Sequence, residues 1–162
     1  MKSGMNLPQQ LLTTSNLPKE ISTLYREVCL HNESAYTFLC QWHEVVHQVD
    51  DIIDEDVESK EKTIECFNRL HELYANPFYR RHEDKLSMIV TLVRNAYADS
   101  VEWEKAEAEW KRKWADFLRF AGNEMTYAIA YIIGGWTHLR FISRMLKVIS
   151  YTGHHTENNE QI

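Results

Sequence analysis

An apolar residue recurs every three or four positions from Phe38 to Val57, and this period sets the fold class. A spacing near 3.6 residues sustained over about five turns is typical of one long amphipathic helix. The stripe consists of Phe38, Leu39, Trp42, Val46, Val49, Ile53 and Val57. Because the chain has only five glycines and three prolines, turn signals are too sparse for the many short strands of a sandwich or barrel. We therefore expect an all-helical protein.

Capping and breaking residues divide the chain into about six helices that form a single bundle. The long helix begins near Asn32 or Ser34, and Asn76-Pro77 supplies both a break and a new N-terminus. The other predicted helices run from Asn16 to about Leu30, from Ser59 to Tyr74, from Pro77 through Val101, from Trp110 to about Gly122, and from Asn123 to about Ser150. The charged stretch from Glu102 to Lys113 leaves open whether the fourth helix continues through it.

Apolar stripes in these helices predict which side chains are buried. In the third helix the stripe is Ile64, Phe67, Leu70, Leu73 and Tyr74, and in the fifth it is Trp110, Trp114, Phe117 and Leu118. Trp42 lies within the unbroken stripe of the long helix, so we expect it in the core. Trp110 lies among charged residues, so we expect it to be only partly covered.

The last helix is apolar nearly all round from Met125 to Trp136. Such a helix is usually buried on every side, either at the centre of a bundle or at a subunit interface. A small domain seldom covers it completely, so we expect a homo-oligomer, most simply a homodimer. Residues 1–15 and 153–162 are polar without a sustained period, and we expect flexible arms there. One helical domain over 16–152 remains.

The charge balance and the cysteines limit the partners and the compartment. A net charge of -6 disfavours binding to phosphate backbones, which require a basic patch, so nucleic acid is not an expected partner. The longest apolar stretch is well short of the roughly 20 residues that cross a bilayer, and the N-terminus lacks a signal pattern. Three cysteines, an odd count without a pairing pattern, favour reduced thiols in the cytoplasm.

Two histidines and a dense group of carboxylates lie between His43 and Asp56. At about 100° per residue, the side chains that fall within an arc of roughly 100° beside the apolar stripe are His43, His47, Asp50, Asp51 and Asp54. Carboxylates three and four residues apart on a helix repel each other when ionised, and a bound divalent cation removes that repulsion. Oxygen ligands completed by water suit Mg²⁺ or Mn²⁺. A solvated acidic face is the alternative interpretation.

Asp50, Asp51 and Asp54 form an Asp-Asp-x-x-Asp motif, which resembles the first aspartate-rich motif of trans-prenyl diphosphate synthases and related class I terpenoid synthases. The resemblance implies a shortened terpenoid-synthase core, in which these aspartates hold Mg²⁺ ions that bridge the diphosphate of an allylic substrate and assist its departure. The family's paired arginines after the motif are absent here, and the motif does not recur. The weak match to the second metal motif of terpene cyclases is Asn95, Asp99 and Glu102, for which a solvated face is the other interpretation.

Further side chains are candidates for binding the substrate. Arg80, Arg81 and Lys85 follow Asn76-Pro77, where a diphosphate could meet a helix start. The other candidates are His47, which precedes the aspartates, and Tyr131 and His138, which share one face of the last helix. The structural alternative for the three cations is that they are solvated at a helix junction. For the tyrosine and the histidine of the last helix it is that they form local hydrogen bonds.

Mg²⁺-dependent binding or turnover of a diphosphate-bearing substrate is the function we expect first, and three alternatives stay open. His43-Glu44-x-x-His47 matches the HExxH motif of zinc metalloproteases, although no strand is predicted before it. The all-α nucleoside triphosphate pyrophosphatases are of similar size and cluster carboxylates around Mg²⁺. A helical interaction protein without turnover is the non-enzymatic alternative, and the missing second metal motif favours it.

Overall fold

The computed structural model describes residues 18–54 and 60–158, with residues 151–158 described as backbone. Several predictions fall on other parts of the chain. The predictions that lie outside the described residues are the arm over 1–15, the helix start at Asn16, the end of the long apolar stripe at Val57, the cap at Ser59 and the last residues, 159–162.

The described residues form seven α-helices and no strand, which confirms the all-helical prediction. The helices are α1 (Lys19–Cys29), α2 (Glu33–Asp54), α3 (Lys60–Ala75), α4 (Pro77–Arg81), α5 (Glu83–Trp103), α6 (Glu109–Arg119) and α7 (Asn123–Asn158), with a single 3-10 turn at Phe120–Gly122 before α7. None of them is long and apolar enough to cross a membrane within the described part of the chain.

Local signals placed several helix ends correctly. The Asn32 side chain accepts a hydrogen bond from the backbone N–H of Ala35 at 3.0 Å, so it caps α2. Asn76 caps α4 in the same way, with its side-chain oxygen 2.8 Å from the backbone nitrogen of Phe78. The charged stretch that follows α5 is a break, since α5 ends at Trp103 and α6 begins at Glu109.

The predicted fourth helix is in fact two helices, α4 and α5, which are separated at His82. The backbone N–H of His82 donates to the carbonyls of both Phe78 and Tyr79, and its φ of -121° is not helical. The two helices can then enter the core at different angles. Phe78 and Tyr79 of α4 are buried against Phe38, while α5 buries Leu86 from another side. No glycine or proline marks this break.

The core is centred on α2 and the first half of α7. Helix α2 packs against α1 and α3, and α7 packs against α1 and α5. Trp42 is buried, as predicted, and its indole N–H donates to the carbonyl of Gly122 at 3.1 Å. The fully buried large side chains of the core include Leu24, Phe38, Leu39, Leu73, Leu86, Met125, Ile129 and Ile142.

The last helix forms as predicted, but it is bent. Gly135 has φ +70° and ψ -165°, a backbone conformation essentially restricted to glycine, and it kinks α7. A Cβ atom at Gly134 would lie 2.5 Å from that of His138, so the adjacent position also requires glycine. The backbone of α7 continues to Asn158, past the predicted end near Ser150.

Two predicted apolar surfaces are not fully covered. On α7, Met125 and Ile129 lie in the centre of the bundle, but Tyr131 and Trp136 are exposed, so this segment is not buried on every side. On α3, Leu73 is buried, whereas Ile64 and Phe67 are exposed at 61% and 70% and do not contribute to the core. Helix α3 contacts α2 and α4 along one narrow side, which leaves the rest of its stripe in solvent.

Candidate functional site

A hydrogen bond joins the acidic end of α2 to α5. The Tyr97 hydroxyl on α5 donates to Oδ1 of Asp50 at 2.6 Å. Asp51 and Asp54, in contrast, are exposed. Among the side chains that the structure describes, those of residues 18–54 and 60–150, no three histidine, cysteine, aspartate or glutamate side chains are grouped so that they could hold a metal ion together. The motif therefore faces no second set of carboxylates in this part of the chain.

The surroundings of Tyr97 keep its hydroxyl protonated. Burial, the hydrogen bond to Asp50 and the nearby charges of Asp50 and Asp54 raise the pKa of Tyr97 above its usual value, while Arg119 opposes them. Arg119 is itself ion-paired to Glu104 at 2.5 Å. The Tyr97 hydroxyl is thus a permanent donor at neutral pH, and it ties the end of α2 to α5.

The two histidines of the HExxH motif have structural partners. Nδ1 of His43 lies 3.1 Å from the hydroxyl of Tyr25, and the rings of His43 and His47 are 4.3 Å apart. Burial, with a smaller contribution from His47, lowers the pKa of His43 to about 4, so its imidazole is neutral at pH 7. Glu44 forms an ion pair with Arg69 of α3. The motif's glutamate is therefore engaged in holding α2 and α3 together.

The possible second metal face, Asn95, Asp99 and Glu102, does not lie opposite Asp50, Asp51 and Asp54. The side-chain amide of Asn95 donates to Asp99 at 3.1 Å, and both Asn95 and Glu102 are exposed. Asn95 and Asp99 lie two positions on either side of Tyr97, which places each about 160° around α5 from the residue that contacts Asp50. These side chains point away from the acidic end of α2, in agreement with a solvated face.

The predicted substrate-binding side chains are dispersed over the bundle. The exposed ones are His47 on α2, Arg80 and Arg81 on α4, Lys85 on α5 and Tyr131 on α7. His138 has a structural partner, since its Nε2 lies 3.0 Å from the carbonyl oxygen of Val28 on α1. Among the described residues, none of the six has a hydrogen bond or an ion pair to the motif's aspartates.

An aromatic surface lies on α6, and it includes Trp110, which is only partly covered, as predicted. Trp110, Trp114 and Phe117 are exposed at 57%, 51% and 64%. They lie at positions i, i+4 and i+7, so they share one side of the helix. Helix α6 packs on α5 through a different side, where Ala115 is fully buried. We call Trp110, Trp114 and Phe117 the α6 aromatic face.

The cations around this face already have internal partners. Lys111 lies over the rings of Trp103 and Trp110, and Arg112 donates to the carbonyls of Ala106 and Glu107. Lys113 forms an ion pair with Glu109, and Arg119 forms one with Glu104. The rings themselves are held in place, since Trp103 contacts Trp110 edge to face and Trp114 contacts Phe117 likewise. The rings of the α6 aromatic face are therefore held by neighbouring side chains, and about half of each ring remains exposed.

Comparisons of the chain with protein-family models, with curated proteins and with solved structures find no match.

The sequence did contain a signal for the α6 aromatic face. The charged residues that precede and interrupt its aromatic positions place α6 at the edge of the bundle, and a helix at an edge buries one narrow side only.

Proposed function

We propose that this protein is a non-enzymatic helical interaction protein that forms a homo-oligomer through the α6 aromatic face. The observation that carries the proposal is the exposure of two tryptophans and a phenylalanine side by side on one helix. Tryptophan is usually well covered in a folded monomer, and it is among the residues that contribute most to protein–protein binding. Our proposal puts the homodimer interface on α6, whereas the sequence alone predicted it on the segment from Met125 to Trp136.

A second copy of the chain is the partner that this face fits best. The face offers apolar area and the cations of α6 have internal partners, so an identical apolar face is complementary to it. A twofold axis brings the same patch of each protomer together. Each half-exposed ring supplies on the order of 100 Å². The three rings thus provide roughly 300 Å² of the ~800 Å² that each partner buries in a standard interface. They form the centre of such an interface, and the surrounding polar residues form its rim.

Sedimentation velocity over a range of concentrations tests this proposal. We expect the wild-type chain to associate and the variant W114A/F117A to dissociate, with an affinity lower by roughly a thousandfold or more, because aromatic residues at an interface centre contribute about 2 kcal/mol each. The matched control is I64A/F67A, which removes two equally exposed apolar side chains from α3. A monomeric wild type, or equal weakening by the control, would contradict the proposal.

We keep Mg²⁺- or Mn²⁺-dependent binding of a diphosphate-bearing molecule as a second proposal. It is favoured by one observation: Asp51 and Asp54 are exposed, lie one turn apart and have no ion pair within the described residues. A prenyl diphosphate that stabilises the protein only with metal present would support the terpenoid-synthase resemblance. Stabilisation by a nucleoside triphosphate alone would support the pyrophosphatase alternative. We also propose a cytoplasmic location, which the free, buried thiols of Cys29, Cys40 and Cys66 favour.

A further inference from the structure

The second half of α7 presents cations and aromatic rings on its outer side. Its exposed residues include Trp136, Arg140, Phe141, Arg144 and Lys147, which we call the α7 cationic stripe. Four of them lie at i, i+4, i+8 and i+11 and follow one line along the helix. Trp136 is 66% exposed and Phe141 is 52% exposed, so both rings stand beside the charges at the surface.

The charges of this stripe are not compensated within the described residues. The guanidinium of Arg140 lies over the ring of Trp136 at 5.8 Å, and neither Arg144 nor Lys147 forms an ion pair there. The sequence contains no aspartate or glutamate from Met125 to Thr156. Helix α6 differs in this respect, because its cations are all engaged internally. The stripe is a local excess of three positive charges on a chain whose net charge is -6, which leaves -9 for the rest.

We propose that the α7 cationic stripe binds the surface of an anionic lipid bilayer. Such a surface supplies both requirements of the stripe, since negative headgroups meet the three cations and the apolar layer just beneath them accepts Trp136 and Phe141. Aromatic rings interleaved with lysine and arginine on one helix side are the composition of helices that lie in the interfacial plane. The opposite side of α7 is fixed in the core by Ile142 and Leu146, so the stripe is presented outward by a rigid bundle.

The separation of charge also orients the molecule. A positive stripe on one side of an otherwise negative protein turns that side toward a negative surface and the remainder away from it. Nucleic acid offers phosphates as well, but the negative remainder of the chain opposes a partner that wraps or extends around it. A flat bilayer contacts the stripe alone. Because the stripe and the α6 aromatic face lie on different helices, this proposal and self-association succeed or fail separately.

The test is co-sedimentation of the full chain with phosphatidylcholine vesicles that contain or lack phosphatidylglycerol. We expect binding only to the anionic vesicles. Each cation near such a surface strengthens binding about fivefold, so R144Q/K147Q should bind about twenty-five-fold more weakly. The matched control is R80Q/R81Q, which removes the same two charges from exposed positions on α4 and should bind like the wild type.

Fluorescence supplies a second readout that reports on depth. Bromine-labelled acyl chains should quench the wild-type emission, and most of this quenching should be absent in W136F, because Trp136 is the tryptophan within the stripe. The proposal is overturned if neutral and anionic vesicles bind equally, if neither binds, or if R80Q/R81Q loses as much affinity as R144Q/K147Q. Binding of polyglutamate in place of vesicles would assign the stripe to an acidic protein and would overturn it too.

Discussion

Replacing Tyr97 by phenylalanine removes the hydrogen bond to Asp50 that joins the acidic end of α2 to α5. The ring stays, and only the donor to Asp50 at 2.6 Å is lost. A hydrogen bond to a charged acceptor contributes about 1.5–3 kcal/mol in a buried site. Both side chains are half-buried, so solvent screening reduces this to about 1–2 kcal/mol. In a chain of this length that lowers the melting temperature by roughly 3–6 °C.

Urea denaturation and thermal melts of Y97F measure the effect. The matched control is Y131F, which removes a hydroxyl from an exposed tyrosine and should leave stability unchanged. The double variant Y97F/D50A should show a coupling of about 1 kcal/mol between the two positions. The pKa of Tyr97 is raised in the folded state, so the wild type should lose stability as the pH rises above about 10, and Y97F should lose less. If Y97F and Y131F are equally stable, the bond does not hold α2 to α5.

Three further predictions concern other sites. Burial and a neighbouring histidine lower the pKa of His43 to about 4, so the contribution of His43 to stability should be complete above pH 6.5 and decline as the pH falls toward 4. The variant H43N should flatten this dependence of stability on pH. An unchanged profile would refute the claim that His43 is buried in its neutral form. Gly135→Ala should lower the free energy of unfolding by about 1–3 kcal/mol in a urea titration, because φ is +70° there. The control, Gly122→Ala, should lower it far less. Equal losses in the two variants would argue against the kink at Gly135. If the metal proposal holds, Mg²⁺ at a hundred times its Kd should add roughly 2.7 kcal/mol of stability, and Asp51→Asn or Asp54→Asn should abolish the gain; a gain that survives both would count against it.

The parts of the fold that the sequence predicted are those fixed by local chemistry. The caps at Asn32 and Asn76 satisfy backbone groups within three residues, and the spacing from Phe38 to Val46 requires only that one helix side be apolar. The break between α4 and α5 was missed because no glycine or proline marks His82. It is produced by how the two helices enter the core, and that depends on the whole bundle.

The periodicity of a helix also does not say what covers its apolar side. Phe67 on α3 and Trp114 on α6 fit their stripes as well as Phe38 does, yet they are exposed, because both helices pack at the edge of the bundle. Contacts between distant segments could not be predicted from the sequence either. Nothing near Asp50 in the sequence indicates that Tyr97 will donate to it, or that the second metal face will point the other way.

Iodide quenching of the α6 tryptophans tests self-association most directly, because it reports on the rings that form the proposed interface. In the W136F background the remaining exposed tryptophans are Trp110 and Trp114, while Trp42 is buried and Trp103 is half-buried. We predict strong quenching in dilute solution and a clear decrease in the quenching constant as the protein is concentrated and the rings become covered. A quenching constant that stays the same from dilute to concentrated protein would contradict the central claim that the α6 aromatic face binds a second copy of the chain.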